Sequence, residues 1–138
     1  MTLQRMQIGE VAERTRLSLR TIRYYEEVGL VTPSSRTAGG FRLYSEADVE
    51  RLRLVRRMKP LDLSLEEMKD ILGALDGLAA TEPQSVEHEE LVDRLEMYRE
   101  VAKARVAALR EQLETAEDLA DDLRREITRQ KRLASQAK

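Results

Sequence analysis

The sequence predicts a mainly α-helical chain with one small β-hairpin and a long C-terminal helix, and three observations lead there. Two short helical patterns separated by about three residues stand near the N-terminus. Gly39-Gly40 followed by the alternating run Phe41-Arg42-Leu43-Tyr44 marks a single hairpin, and residues 85 to 133 contain neither Gly nor Pro. With 138 residues, 41% apolar and 36% charged, the chain suits one modest core plus an elongated element.

The first helix is predicted from Gln7 onward, with Ile8, Val11, Ala12 and Thr15 on one face. The second is bounded at both ends, because Ser18 is a good N-cap and Gly29 a good residue just past the C-cap. At about 100° per residue, Leu19 and Ile22 fall on a docking side, and Arg20, Arg23 and Tyr24 fall on another with Thr21 alongside. Two forked guanidinium groups, a phenol and a hydroxyl suit phosphates and guanine edges. A solvated surface helix offers the same residue types, so the neighbouring elements have to decide between the two readings.

In the hairpin, period-two alternation is expected to turn Phe41 and Leu43 inward, and Arg42 and Tyr44 outward beside Arg36. Four of the five aromatic residues, Tyr24, Tyr25, Phe41 and Tyr44, fall in the second helix and this hairpin. Ser45-Glu46-Ala47-Asp48 has the form of a capping box and opens a third helix, with Val49, Leu52, Val55 and Met58 inside. Its outer face holds Arg51, Arg53, Arg56, Arg57 and then Lys59 before Pro60 ends it, and a phosphate contact from Arg57 or Lys59 is expected there. Ser64-Leu65-Glu66-Glu67 is a second capping box and opens a fourth helix through Leu65, Met68, Ile71, Leu72 and Leu75, ending near Asp76-Gly77.

Residues 77–84 read as a linker, 85–133 as one long helix and 134–138 as a frayed tail. Along the helix, Leu91, Leu95, Tyr98, Ala102, Val106, Leu109, Leu113, Ala116, Ala120, Leu123 and Ile127 recur at mostly alternating threes and fours. At 1.5 Å per residue it would reach roughly 70 Å. The sequence offers no second helix of that length, so a second copy of the chain is the simplest partner. Glu90/Arg94 and Asp121/Arg125 have the acid-first order that supports a helix at a spacing of four. Met97, Tyr98 and the linker are where a pocket could form beside the compact part.

Several function classes are disfavoured by composition. No cysteine is present, which removes disulfide frameworks and thiolate metal sites, and no apolar run approaches a membrane span. A cytoplasmic protein with no membrane partner is expected. His88, the single histidine, sits among Glu87, Glu89 and Glu90 without a nucleophile nearby, so these carboxylates complement a helix dipole and no enzyme, metal site or cofactor is expected. Net charge is −2, but residues 1–60 hold 12 Lys and Arg against 7 Asp and Glu, while the remainder hold 12 against 19. A basic first half beside an acidic second half suits a polyanion partner for the first alone.

Four runs then carry a resemblance. Ile8-Gly9-Glu10-Val11-Ala12, Thr21-Ile22-Arg23-Tyr24-Tyr25-Glu26-Glu27-Val28-Gly29-Leu30-Val31, Gly40-Phe41-Arg42-Leu43-Tyr44-Ser45 and Leu63-Ser64-Leu65-Glu66-Glu67 occur in that order. Over residues 7 to about 76 the chain resembles the MerR (mercury-resistance regulator) family of bacterial transcription regulators.

The resemblance implies a winged helix-turn-helix domain over 1–76 and a homodimer held by an antiparallel coiled coil of the long helices. It implies binding to pseudo-palindromic double-stranded promoter DNA, which is bent and untwisted so that RNA polymerase can use widely spaced elements. Transferred to this sequence, the DNA-binding positions are Ser18, Arg20, Thr21, Arg23, Tyr24 and Tyr25 on the helix, Arg36, Arg42 and Tyr44 on the wing, and Lys59 beyond it. Arg20 and Thr21 would lie nearest the bases, and Arg23, Tyr25, Arg36, Arg42 and Tyr44 mainly on phosphates. The dimerisation positions are Leu91, Leu95, Tyr98, Ala102, Val106, Leu109, Leu113, Ala116 and Leu123. Metal- and oxidant-sensing members carry cysteines near the end of the long helix, and this chain has none, so the resemblance names no effector. The alternative is a protein-interaction module that uses the coiled coil or the winged domain.

Overall fold

A computed structural model describes residues 6–33 and 35–137. Five helices and one hairpin follow in order: α1 (Ile8–Thr15), α2 (Leu19–Glu27), β1 (Ser35–Arg36), β2 (Arg42–Leu43), α3 (Glu46–Met58), a single 3-10 turn (Lys59–Leu61), α4 (Leu65–Ala80) and α5 (Val86–Gln136). The chain divides into two compact units, Met1–Tyr98 and Arg99–Lys138, with the boundary inside α5.

In the first unit the helix ends are set by side chains. Ser18 Oγ accepts the Thr21 amide at 3.1 Å, and Ser45 with Asp48 and Ser64 with Glu67 close two reciprocal capping boxes. Each such cap is worth about 1 kcal/mol. At the other end of α2, Gly29 takes φ +85°. Its amide donates to Glu26 O at 3.1 Å while Leu30 N donates to Tyr25 O at 2.9 Å, the paired bonds of a Schellman closure.

The core is one cluster in which Val11 of α1, Ile22 and Tyr25 of α2, Leu30 and Val31 of the following loop, Val49, Leu52, Val55 and Met58 of α3, and Leu72 of α4 are buried. Burying each aliphatic side chain contributes about 1.5–3 kcal/mol. Arg51 ties three segments together at the rim, donating from Nε to Leu30 O at 2.8 Å and pairing with Asp76 at 3.0 Å.

The hairpin pairs Ser35 with Leu43 and Arg36 with Arg42, and a bridge joins Tyr44 to Met6 through two 2.7 Å bonds. Here the expected facing is reversed: Tyr44 is fully buried and Phe41 is 67% exposed. Arg42 and Leu43 between them are both half-buried, so a clean alternation is not seen, and Tyr44 is the residue turned into the core. Arg42 Nε lies 2.6 Å from Glu26 Oε2 of α2, a carboxylate only 9% exposed, and Tyr44 follows two residues later on the same face. In α2, Leu19 is 41% exposed, and the docking pair is Ile22 with Tyr25.

Two boundaries also differ from expectation. Gly77 lies within α4, which runs on to Ala80, so only residues 81–85 connect it to α5. A Cβ at Gly77 would stand 2.9 Å from Leu91 Cδ1, so the missing side chain admits α5 against α4. Tyr98 Oη donates to Asp70 Oδ2 at 2.6 Å, and Arg94 reaches Asp70 Oδ1 at 3.2 Å. Leu91 and Tyr98, expected at a dimer seam, are therefore engaged with α4 of their own chain, and Arg94 pairs across helices instead of with Glu90.

In the second unit, residues 99–136 are helical throughout, three residues beyond the expected end at 133, and Lys138 of the expected tail lies outside the described residues. Its ion pairs are spaced by three: Arg124–Asp121, Arg125–Asp122 and Arg129–Glu126. The anticipated Asp121/Arg125 pairing is thus replaced by two shorter-range pairs. Val106, Leu113, Leu119, Leu123 and Ile127 are 40–59% exposed along this segment.

Candidate nucleic-acid interface

The candidate site is built on α2. Ser18 Oγ, besides capping, donates to Thr21 Oγ1 at 2.8 Å, so the first turn of the helix is fixed by two bonds from one hydroxyl. Ile22 and Tyr25 then anchor the helix to the core, and Arg20, Arg23 and Tyr24 are left exposed, Tyr24 to 52%. Guanidinium groups held this way keep their donors free for an external acceptor.

Each flank of α2 meets a different element. On one side Arg20, Thr21, Tyr24 and Tyr25 border a cleft that Lys59 of the 3-10 turn and Met68 of α4 complete. On the other, Arg23 shares a concavity with Gly40, Phe41 and Arg42 of the wing and with Gln7 and Ile8 at the start of α1. A basic helix is thus bracketed by cations from two separate elements. Arg36, also on the wing, donates from Nη1 to Gly40 O at 3.1 Å, which stiffens the hairpin tip.

Of the ten positions expected to touch DNA, Arg20, Arg23, Tyr24, Arg36 and Lys59 are exposed, as is Ser18, whose hydroxyl is committed to the cap. Thr21 and Arg42 are half-buried. Tyr44 is a core residue whose hydroxyl is buried without a hydrogen-bond partner, so its placement as an outward contact is corrected. Tyr25 is 7% exposed and packs at 5.9 Å from the Tyr24 ring, so it supports the contact face from beneath. Burial pushes its phenol above the ordinary value.

Two residues that shape the site were missed from the sequence. Glu26 sits under the wing, its pKa raised because burial outweighs the attraction of Arg42, Arg36 and Arg23. Its spacing of four from Ile22 was the available signal. Phe41 lies beside the hairpin tip, where its amide donates to Thr37 Oγ1 at 3.1 Å. The concavity beside Tyr98 is bordered by Glu66, Glu67, Lys69 and Asp70, and Met97 is not part of it. Among the described residues no group of three or more His, Asp or Glu is placed to hold a metal ion, and no helix is long and apolar enough to cross a membrane.

Comparison with known proteins gives one consistent answer. The family description "MerR HTH family regulatory protein" matches residues 6–75, the stretch that contains α1 to α3 and most of α4. The HTH-type transcriptional regulator HmrR of Sinorhizobium medicae is 43% identical over 67 residues, covering 49% of this chain and 46% of that protein. The chain spans about half the length of the curated relatives it matches. A solved structure assigned to the MerR family from Listeria monocytogenes superposes with a TM-score of 0.65 at 28% identity, over 84% of this chain and 83% of that one. The structure of HiNmlR, a MerR family regulator lacking the sensor domain and bound to promoter DNA, has a TM-score of 0.62 at 23% identity, over 83% and 86%. At that identity the second likeness concerns the fold.

Proposed function

This chain belongs to the MerR family of helix-turn-helix regulators, and from that membership we infer that it is a dimeric, sequence-specific transcription regulator of double-stranded promoter DNA. The observation that carries the reading is the bracketed helix: Arg20 and Tyr24 beside Lys59 on one flank, and Arg23 beside Arg42 on the other. A helix lodged in the major groove presents its first turns to base edges while flanking cations meet the two phosphate strands. Arg20 and Thr21 read bases; Arg23, Arg36, Arg42 and Lys59 hold the backbone.

The exposed apolar positions of the second unit support a partner helix. Val106, Leu113, Leu123 and Ile127 share a helix that its own unit leaves uncovered, and Ala108, Ala116 and Leu119 border a shallow hollow where small residues leave room for another backbone. A second copy in an antiparallel coiled coil covers both, with Leu95, Ala102, Leu109, Ala116 and Ala120 contributing to the seam. Two heads then engage two half-sites, and bending and untwisting of the intervening duplex let RNA polymerase use a promoter whose elements are too far apart. The chain acts in the cytoplasm and catalyses no reaction.

Selection of duplexes from a random pool with the full chain, followed by a salt titration of the recovered sequence, tests the reading. Inverted repeats are expected to be enriched, with log K falling linearly against log salt at a slope of about −0.9 per phosphate neutralised. Failure to enrich any duplex, combined with recovery of one stoichiometric protein partner, would replace it with the protein-interaction alternative.

A further inference from the structure

Two independent features single out Arg16, in the corner between α1 and α2. Its backbone is left-handed, with φ 61° and ψ 27°. The Cβ makes that conformation cost more than it would for glycine, a cost shared among the described residues by Asp62 (φ 58°), so the corner would form more readily with glycine at this position. Such strain is retained where the side chain has a use.

The second feature is the company Arg16 keeps. It borders a hollow between the end of α1 and the outer face of α3, lined by Arg14, Thr15, Arg53, Arg56 and Arg57 and by one carboxylate, that of Glu50. Arg14 is bound to Glu46 by bonds of 2.6 and 2.8 Å, and Arg53 is paired with Glu50 while also reaching Arg14 O at 3.3 Å. The two carboxylates near the hollow are therefore taken. Arg16, Arg56 and Arg57 are exposed, and among the described residues none of their side chains makes an ion pair or hydrogen bond. With Glu50 already paired to Arg53, the hollow carries a net positive charge that an anion seated there would offset.

We propose that this hollow is a phosphate cradle, in which Arg16, Arg56 and Arg57 hold the sugar-phosphate backbone of duplex DNA beyond the surface formed by α2, the wing and Lys59. The proposal rests on the reading of α2 as the groove-entering helix. A duplex is favoured over an acidic polypeptide because the free groups are guanidinium forks and the segments that carry them lead, in sequence, into the elements of that surface. Arg16 stands two residues before Ser18, the cap of α2, and Arg57 stands two residues before Lys59, which borders the cleft beside Arg20. Backbone charge recurs about every 1.7 Å along a duplex, so strand continuing past α2 supplies phosphates to an adjacent cradle. Guanidinium forks match phosphate oxygens in pairs.

The test uses the full chain, its Arg16→Gly variant and its Arg56→Gln/Arg57→Gln variant, with two probes: the duplex recovered by selection and a random-sequence duplex of equal length. Arg16→Gly relieves the backbone, so its melting temperature should be unchanged or higher while affinity for both probes falls roughly tenfold. The salt slope should flatten by about 0.9 for each phosphate that is no longer neutralised. The double variant should bind both probes more weakly to the same degree, with no change in base preference. Wild-type affinity and slope in both variants would overturn the cradle; so would a loss seen only when poly-glutamate is titrated as a third probe, which would assign the hollow to an acidic polypeptide. If the unaltered chain binds neither duplex, the reading of α2 fails and takes the cradle with it, a result distinct from intact binding that is indifferent to Arg16.

Discussion

Glu26 meets the wing from α2, its nearly buried carboxylate lying 2.6 Å from Arg42 Nε. Burial raises its pKa against the pull of Arg42, Arg36 and Arg23. A raised carboxylate pKa means that folding favours the protonated form. Its contribution to stability is therefore complete below the ordinary carboxylate range and is lost as pH rises through the folded value. Arg42→Ala removes the nearest compensating charge. The variant should be less stable by about 1–2 kcal/mol at neutral pH, a figure reduced for the partial exposure of Arg42, and thermal unfolding toward about pH 4 should find the deficit smaller. A deficit independent of pH would mean that Glu26 is not its source. Tyr44 yields the opposite kind of test, because its hydroxyl is buried without a partner. Tyr44→Phe should leave duplex affinity unchanged and stability equal or higher; a specific loss of DNA binding would restore Tyr44 to the contact surface. Arg20→Ala should cost about 1–3 kcal/mol of binding and relax the preference at one base pair of each half-site, read by competition among single-base operator variants.

At the scale of elements, what could be read from the sequence was whatever depended on local chemistry. Ser18, Ser45 and Ser64 cap helices where the sequence places the caps, and Gly29 takes the left-handed conformation that its position past α2 requires. What escaped depended on a residue distant in sequence. The sequence from Phe41 to Tyr44 marks the wing, but its facing goes with contacts distant in sequence, Tyr44 with Met6 and Arg42 with Glu26. Gly77 has the local signature of a helix end and instead serves close approach to Leu91. The exposure of Arg20, Arg23 and Tyr24 was legible because a helical wheel suffices, whereas the burial of Tyr25 and the left-handed corner at Arg16 needed the packed core and the α1–α2 turn to be seen. The α4–α5 contact makes its own prediction. Tyr98 is pushed up to about 12 because its phenol donates to the Asp70 carboxylate. The protonated phenol is the stabilising form, so its contribution is complete below its ordinary value of about 10 and is lost as pH rises toward 12. Tyr98→Phe should lower stability by about 0.5–1 kcal/mol at this partly exposed site, and the difference from the unaltered chain should vanish in alkaline unfolding. Ser64→Ala should cost about 1 kcal/mol through loss of the α4 cap, measurable as a lower denaturation midpoint.

For the molecule as a whole, the charge division separates two tasks. Residues 1–60, with 12 basic and 7 acidic side chains, contain all ten positions expected to touch DNA, and the remaining residues, with 12 and 19, contain the exposed apolar positions of the long helix. On the proposed reading, an acidic second half would repel the polyanion that the first half attracts and so confine contact to the first. Leu113→Glu and Leu123→Glu together place charges on the exposed apolar face and should convert the protein to monomers that bind a single half-site weakly, as followed by sedimentation and titration. The most direct test of paired binding is the mass and footprint of the complex on the selected inverted repeat. Two chains per duplex, with protection symmetric about the repeat centre at physiological salt, is the predicted result; one chain per duplex, or protection of a single half-site, would contradict it.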